Sequence, residues 1–507
     1  MAASSDLSPN VEIELKFAVP ADRRAALEKA LERAPVRIER MQAIYFDTAD
    51  ERLARRGVTL RLRKEGRRWV QTVKAATAKD SFRRLEHNVS VTAPSGGGPP
   101  ALDLARHDAA PAGEVLREAL DYGSEGDASA GLSMRFRTDV RRMTRTIRVA
   151  GARVEIAMDT GNIIASDRSW PICELELELK SGRVTALVGF AAQWADRHGL
   201  WLNTVSKAER GARLARGEVE GPPVKAVAPL VEVKQGAAAF FVATIESCLA
   251  HIFGNASELA AGGCDESFVH QLRIGLRRLR TVLRELGMLV DGIDPEWEPV
   301  LRSAFRELGE SRDFSVILPA VRKELDAAGA PSFPDPKPVH RARRPETVVR
   351  DPLFQRTLLE VLAFSHEPRT EVVGDDSIGK DVRTLVAQRL DGLRLSVARD
   401  GKRFATLDPD RQHRVRKRLK RLRYLCEFSA PLFGIKQVTR YLASWRQAQD
   451  ALGEYNDQLI AAEFFRAEAG TEPRAWFAVG WLAARQRVCV KRCKRALRKA
   501  MKAPAFW

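Results

Sequence analysis

Cysteine is sparse in this chain of 507 residues. The six present, Cys173, Cys248, Cys264, Cys426, Cys489 and Cys493, have neither the paired spacing of a zinc site nor that of a disulfide framework. Cys489 and Cys493 lie one helical turn apart, but no histidine neighbours them, so all six read as reduced thiols. No apolar run approaches the roughly 20 residues a bilayer-spanning helix requires, which sets aside a membrane protein. The N-terminal stretch, MAASSDLSPNVEIELKF, has no basic region followed by an apolar segment; it does not read as a secretory signal, and the expected location is the cytoplasm. Acid is short of base: 84 Lys and Arg face 66 Asp and Glu, a net charge of +18. That excess points to a polyanionic partner, with nucleic acid, anionic lipid and inorganic phosphate polymers all qualifying on charge alone.

What is present is globular in composition, with 45% hydrophobic and 30% charged residues. The length suits about three domain-sized units at roughly 150 residues each. Two periodicities divide the chain. From residue 11 to about 215, charged and apolar residues alternate as in strands: VEIELKF (11–17), TLRLRK (59–64), RWVQTVK (68–74), RRLEHNVSV (83–91), RVEIAMD (153–159) and ICELELELK (172–180). Helical stretches interrupt them at Ala21 to Glu32, Pro111 to Tyr122 and Val184 to His198, and APSGGGPP (93–100) reads as a loop. From about 235 onward apolar residues recur at three- and four-residue spacing with Arg and Lys between them, the pattern of amphipathic helix. A Pro-containing stretch at 218–234 joins the two regimes, and a second at 329–346 divides the helical half.

In the strand half the charges fall on shared faces. Glu12, Glu14 and Lys16 alternate with Ile13, Leu15 and Phe17, and Glu174, Glu176, Glu178 and Lys180 alternate with Leu175, Leu177 and Leu179. Each strand alone is compatible with an exposed sheet face. The repetition of same-face pairs at Arg61 and Arg63, Arg84 and Glu86, and Arg135 and Arg137 argues instead for a barrel whose lumen is lined by charge. Clustered carboxylates call for a hard cation such as Mg²⁺ or Mn²⁺, and clustered guanidiniums match phosphate oxygens, so a metal with a phosphate chain satisfies both sets. No Ser-His-Asp or Cys-His arrangement accompanies these strands, which argues against a covalent intermediate, and His87 reads as structural.

The ordered series Glu12-Ile-Glu14-Leu-Lys16, YFDT (45–48), TLRLR (59–63), QTVK (71–74), RRLEHNV (83–89), RFRTDVRR (135–142), VEIAMDTG (154–161), ICELELELK (172–180) and SKAERG (206–211) resembles a CYTH domain of the triphosphate tunnel metalloenzymes. The resemblance implies an eight-stranded antiparallel tunnel holding a triphosphate and a divalent metal. It implies that Glu12, Glu14, Glu174 and Glu176, with Asp159, ligate metal and water, and that Lys16, Arg61, Arg63, Lys74, Arg84, Arg135, Arg137 and Lys207 hold phosphate oxygens. Lys16 and the four glutamates form the expected catalytic set. Arg142 and Arg145 are further phosphate candidates, and Glu178 lies one pleat beyond the usual pair.

The helical half carries an internal repeat. The pattern from His270 through Arg273 and Arg277 to Arg280 recurs from His413 through Arg416 and Lys420 to Arg423 at an offset of 143, and LGESRD ending at Asp313 recurs as LGEYND ending at Asp457 at an offset of 144. Two copies, about 235–330 and 350–505, are expected as helical bundles. Helical spacing places His413, Arg416, Lys417, Lys420 and Tyr424 on one broad face, with Val415, Leu419, Leu422 and Cys426 opposite; His270, Arg273, Arg277 and Arg278 form the corresponding set. Between Arg411 and Arg423 stand eight Lys or Arg and no acid, a repulsive run on an isolated helix. These motifs resemble a CHAD domain, which implies binding of inorganic polyphosphate through His270, Arg273, Arg277, Arg278, His413, Arg416, Lys417, Lys420 and Arg421. The basic helices lack the interleaved aromatics of a single-strand nucleic-acid reader.

The expected fold is therefore α+β: an N-terminal antiparallel eight-stranded tunnel over 1–217, a linker at 218–234, and an all-α domain of two repeats over 235–507. The expected function is metal-dependent hydrolysis of inorganic tripolyphosphate in the tunnel, with Mg²⁺ or Mn²⁺, and long-chain polyphosphate binding by the helices, in the cytoplasm at polyphosphate granules. The alternatives are a non-catalytic polyphosphate-binding protein and an enzyme acting on an organic triphosphate, thiamine triphosphate or ATP.

Overall fold

The computed structural model describes residues 11–77, 80–94, 98–120, 131–231, 236–312, 316–332, 343–367 and 381–507. The chain divides into two compact units. The first comprises Met1–Val224, Ile252–Cys264 and Val349–Glu367; the second comprises Lys225–His251, Asp265–Val348 and Pro368–Trp507.

In the first unit, alternating sequence yields a closed antiparallel barrel. Its strands are β1 (Val11–Ala18), β2 (Arg37–Thr48), β3 (Val58–Glu65), β4 (Arg68–Thr77), β5 (Asp80–Val91), β6 (Leu132–Val149), β7 (Ala152–Ala165) and β8 (Arg168–Ser181). They pair in the order β5-β4-β3-β2-β6-β7-β8-β1, and a β5–β1 pairing closes the ring; the two-residue β9 (Trp201–Leu202) adds to β1. Closure leaves the barrel strands no open edge. Its helices are α1 (Arg24–Leu31), α2 (Arg52–Arg55), α3 (Pro111–Leu120), α4 (Val184–His198) and α5 (Lys207–Arg216). Each helix expected from the pattern is present: α4 has the expected bounds and ends on the left-handed Gly199, and α3 is followed through Leu120, since residues 121 and 122 lie outside the described residues. The apolar faces of the strands pack outward, with Leu104, Ala112, Leu116 and Ala119 lying against Val58, Leu60, Val73 and Ala75.

α5 is the helix that matters for the site. Ser206 caps its start by accepting from the Glu209 amide, and Gly217, at φ 80, closes its end. Leu214 shares a core with Met41, Ala43, Tyr45, Phe136 and Val140, with Ala208 and Ala212 packed against it, so α5 fills one end of the barrel. Gly211 permits this approach, because a Cβ there would lie 2.1 Å from a ring carbon of Phe136.

The helical part comprises α6 (Ala237–Ala260), α7 (Glu266–Glu285), α8 (Trp297–Arg312), α9 (Leu318–Ala327), α10 (Pro345–Val349), α11 (Pro352–Ser365), α12 (Val382–Lys402), α13 (Pro409–Phe433), α14 (Ile435–Glu468) and α15 (Ala475–Ala500). The two His-Arg motifs lie on α7 and α13, which pack on each other in the second unit. α6 corrects one expectation: over 24 residues it is long and apolar enough to cross a membrane. The physical reason is burial on several sides, where Phe240, Phe241, Ile245, Cys248, Leu249 and Ile252 are each at most 2% exposed alongside buried Thr244, Asn255, Ser257 and Glu258. All six cysteines are free thiols.

We expect Gly211→Ala to lower stability by about 1–3 kcal/mol, measured by denaturant unfolding of the full chain; an unchanged midpoint would show that α5 is not seated tightly on Phe136.

Candidate active site in the barrel lumen and a basic helical face

Strand register stacks the inward charges into tiers. Glu12 pairs with Arg84 across β1 and β5, Glu14 with Glu178 and Lys16 with Glu176 across β1 and β8, and Ala18 with Glu174. Across β7 and β8, Glu155 lies beside Glu178 and Asp159 beside Glu174. The resulting cavity, about 250 Å³, is lined by Glu12, Glu14, Lys16, Arg61, Arg63, Lys74, Arg84, Glu86, Arg142, Glu155, Asp159, Glu176, Glu178, Lys180 and Lys207.

The deepest tier gathers three acids. One carboxylate oxygen from each of Asp159, Glu174 and Glu176 lies within 4.8 Å of the other two. Lys207, delivered by the first turn of α5, sits among them with its Nζ 2.7 Å from Asp159 and 2.6 Å from Glu176, and also pairs with Glu174. Arg142 donates to Asp159 at 2.7 and 2.6 Å and to Glu176 at 2.5 Å, and Arg210 pairs with Glu174. Burial by itself would raise all three carboxyl pKa values, but Lys207, reinforced by Arg142 at Asp159 and Glu176 and by Arg210 at Glu174, holds each below the ordinary range. Lys16, buried beneath, donates to the Val205 carbonyl at 2.5 Å, and burial pushes its pKa down to about 8.

The outer tiers are less evenly matched. Lys74 bridges Glu12 at 2.5 Å and Glu86 at 3.1 Å. Burial pushes the Glu12 pKa up to about 8 against the pull of Lys74, whereas at Glu86 burial is outweighed by Lys74, Glu12, Arg61 and Asn88 together, which hold it low. Lys180 joins Glu178 at 2.6 Å and Glu155 at 3.4 Å. Arg61 reaches Tyr45 at 3.5 Å and Glu86 at 4.0 Å, and Arg63 pairs with Glu65 at 2.5 Å.

Most of the expected lumen set is brought together, with two corrections. Arg135 and Arg137 do not line the charged cavity: the register of β6 against β2 slips at Tyr45/Phe46, leaving Arg135 opposite no single partner, and Arg137 lies exposed on the other face from Thr138, Val140 and Arg142. Arg145 likewise lies outside the lumen, reaching the Leu31 carbonyl at 3.5 Å. Glu155 and Arg210 were missed. The alternation in RVEIAMD already puts Glu155 on the Asp159 face, and Arg210 follows Lys207 by one helical turn. His87 lies outside the lumen, with its Nδ1 2.9 Å from that of His107, as a structural histidine should.

In the second unit, Lys420 lies near Arg277, Arg416 and Arg423, with Asp457 as the opposing acid; burial first, then these guanidiniums, push its pKa down to about 5. Lys417 is similarly lowered by burial and by Arg280, Arg284, Arg421 and Arg302. His413 bonds Asn456, and burial lowers it. His270 is exposed on α7. Arg273 and Arg277 stack on Phe305 at 4.3 and 4.8 Å, and Arg273 also donates to the Phe305 carbonyl. Arg278 departs from the expected basic face: at 2% exposure it is held by Glu427 at 2.8 Å, the Val227 carbonyl and the Phe428 ring. Arg421 is tied to the buried Glu285 at 2.5 Å. Tyr424 is fully buried and belongs to the core beside Leu422 and Cys426. Asp313, the end of the first LGESRD motif, lies outside the described residues.

A closed antiparallel barrel with a lumen lined by interleaved acids and bases, followed by a helical region in which two basic helices pack together, defines a two-part α+β architecture. Residues 10–212 match the CYTH domain family and residues 243–466 match the CHAD domain family, so the chain is a CYTH domain followed by a CHAD domain. An inorganic triphosphatase of Haemophilus influenzae is 29% identical over 206 residues, which are 39% of this chain and 54% of that relative. The match thus spans about half of the relative's length. An uncharacterized protein of Mycobacterium tuberculosis is 27% identical over 541 residues, covering 97% of this chain and 96% of its own. Among solved structures, the CHAD domain from the plant Ricinus communis covers 56% of this chain and 98% of its own at 23% identity and a TM-score of 0.45.

Lys207 is the counter-charge for three buried acids. Lys207→Ala should cost the metal-free protein about 3–5 kcal/mol, the penalty for stranding buried charge, and Mg²⁺ should recover more stability in this variant than in wild type. Thermal melts with EDTA and with Mg²⁺ check this; equal metal effects on the two proteins would count against it.

Proposed function

We propose that the tunnel hydrolyses inorganic triphosphate to diphosphate and phosphate with Mg²⁺ or Mn²⁺, and that the helical domain binds long-chain polyphosphate. The observation that carries this reading is the meeting of two opposed charge sets in one narrow lumen, with Asp159, Glu174 and Glu176 gathered within 4.8 Å at its base and Arg61, Arg63, Lys74 and Arg84 on the facing strands. Its support from similarity is the inorganic triphosphatase of Haemophilus influenzae. The donors fit Mg²⁺ or Mn²⁺, since all are carboxylate oxygens and none is a thiol or imidazole. Asp159, Glu174 and Glu176, with Glu12 and Glu14, would hold the ion, which when bound supplies Lewis-acid polarisation of a phosphoryl oxygen.

The remaining work falls to the chain. Arg61, Arg63, Lys74 and Arg84 grip the phosphate oxygens and fix the terminal phosphoryl group for in-line attack. A carboxylate of the Glu12/Glu14 pair takes the proton of the attacking water as its oxygen bonds to phosphorus; the bond from phosphorus to the bridging oxygen breaks, and diphosphate leaves with the electron pair. Lys16 and Lys207 stabilise negative charge on the oxygens. Around this activity we place the protein in the cytoplasm, at polyphosphate granules.

A second reading, an organic triphosphate substrate, is favoured by one observation. A cavity of about 510 Å³ adjoins the tunnel, sharing Tyr45, Thr59, Lys74 and Arg84 with it and adding Phe46, Val58, Leu60 and Phe136. Phosphate release from tripolyphosphate, thiamine triphosphate and ATP, each with Mg²⁺, Mn²⁺ or EDTA, separates the two. The expected outcome is metal-dependent release with the highest kcat/KM for tripolyphosphate and a loss of at least about 100-fold in Glu14→Gln. A preference for either organic substrate would replace the reading, and no release under any metal would leave a binding protein.

Polyphosphate binding to the helical face should weaken steeply with salt, as many screened contacts are lost together. It should also take up protons. The free Lys420 ammonium is disfavoured, with a pKa near 5 instead of 10.5, and a bound polyanion restores the charged form. The complex therefore binds more protons than its parts between those values, and affinity falls as pH rises through that window. Calorimetry in two buffers of different ionisation enthalpy reads the uptake, which Lys420→Met should abolish.

A further inference from the structure

Three buried polar side chains from beyond residue 212 are committed to the segment that carries Lys207. Gln355, 4% exposed at the start of α11, accepts from the Leu202 amide at 3.0 Å and donates to the Val349 carbonyl at 2.6 Å. Ser257, 2% exposed on α6, accepts from the Thr204 amide at 3.0 Å and meets the Thr204 hydroxyl at 3.2 Å. Glu258, 6% exposed, pairs at 2.7 Å with Arg213, whose other guanidinium nitrogen lies 2.5 Å from Glu209. Arg213 is itself 5% exposed and sits beneath Gly221, where a Cβ would come within 2.1 Å of its guanidinium. All these residues belong to the first compact unit.

The segment is fixed from the lumen as well. Lys16 donates to the Val205 carbonyl, and its own carbonyl accepts from the Asn203 amide at 2.8 Å. Residues 202–206 are thereby held between Lys16 on one side and Ser257 and Gln355 on the other, and α5 leaves this clamp with Lys207 as its first residue. One turn on, Arg210 reaches Glu174; one turn further, Arg213 reaches Glu258. A buried hydrogen bond or ion pair is costly to break, because the group left behind loses both its partner and water. These contacts therefore set where the two lumen cations stand.

We propose that Ser257, Glu258 and Gln355 are positioning residues of the tunnel site, so that the CYTH lumen is completed by side chains from the helical sequence that follows it. The inference rests on the proposed hydrolysis for its kinetic consequence and is independent of it for its structural one. Misplacing Lys207 and Arg210 alters the acids that serve the reaction while leaving Arg61, Arg63, Lys74 and Arg84 in place, so the loss falls on kcat and spares KM.

The test uses the full chain with Glu258→Ala, Glu258→Gln and a control, Arg356→Ala, which removes the exposed 2.7 Å pair to Asp196. In Glu258→Ala, hydrogen exchange of amides 207–216 should accelerate, Mn²⁺ affinity measured without substrate should change at least about threefold, and kcat should fall roughly 10- to 100-fold at constant KM. Glu258→Gln, which keeps an acceptor oxygen, should recover part of each effect, and Arg356→Ala should show none. If Glu258→Ala does not fold, Ser257→Ala and Gln355→Leu give the same readouts. Unchanged exchange and Mn²⁺ affinity would overturn the proposal, as would a lower melting temperature with kcat per folded molecule intact. Should wild type hydrolyse no triphosphate, exchange and Mn²⁺ affinity still decide the positioning claim while the hydrolysis reading falls by itself.

Discussion

Charge enclosed in a barrel must be balanced inside it. A carboxylate removed from water without a partner costs several kcal/mol or changes protonation state, and the lumen here holds carboxylates on β1, β5, β7 and β8. Most of them meet a cation in or beside it: Lys74 between Glu12 and Glu86, Lys180 beside Glu178 and Glu155, and Lys207 with Arg142 and Arg210 around Asp159, Glu174 and Glu176. The rest of the first unit follows from that balance. Strict alternation keeps the leucines of β1 and β8 on the outside, and a helix must enter the barrel end to deliver two of the cations.

The same balance sets the protonation of the acids. At Asp159, Glu174 and Glu176 the surrounding cations together outweigh burial and hold the pKa values low, whereas at Glu12 burial prevails over Lys74 and pushes the pKa up to about 8. The deepest acids are thus held ionised by their neighbours, and Glu12 is held toward its neutral form.

Period-two alternation made the barrel legible, because the faces of Glu12/Glu14/Lys16 and of Glu174/Glu176 follow from spacing alone. On β6 the unbroken register from Arg137 to Arg142 sets Arg137 on the face opposite Thr138, Val140 and Arg142, which leaves Arg142 as the inward guanidinium, and the slip against β2 leaves Arg135 without a single partner. Helical spacing placed Val415, Leu419 and Leu422 correctly in the core and put Tyr424 wrongly outside, since a helix packed on more than one side buries more than one stripe. Arg278 shows the same limit, because its charge is consumed by Glu427 from another helix. Ser257, Glu258 and Gln355 were illegible for a different reason. Each is an ordinary polar residue on an amphipathic helix, and its partner stands far away in sequence, where no local pattern records the contact.

The two basic surfaces solve opposite problems. In the tunnel most of the cations stand at fixed points beside carboxylates, Lys74 with Glu12 and Glu86 and Lys207 with Asp159 and Glu176, on a closed ring of strands. On α13 the run from Arg411 to Arg423 carries no acid, and burial first, then Arg277, Arg416 and Arg423, push the pKa of Lys420 down to about 5. The pairs of Arg421 with Glu285 and Arg278 with Glu427 tie α7 to α13 and hold the cations of the two helices together. The barrel therefore balances its charge by interleaving acids with bases on facing strands, whereas the helical region ties part of a crowded basic run to Asp400, Glu285 and Glu427.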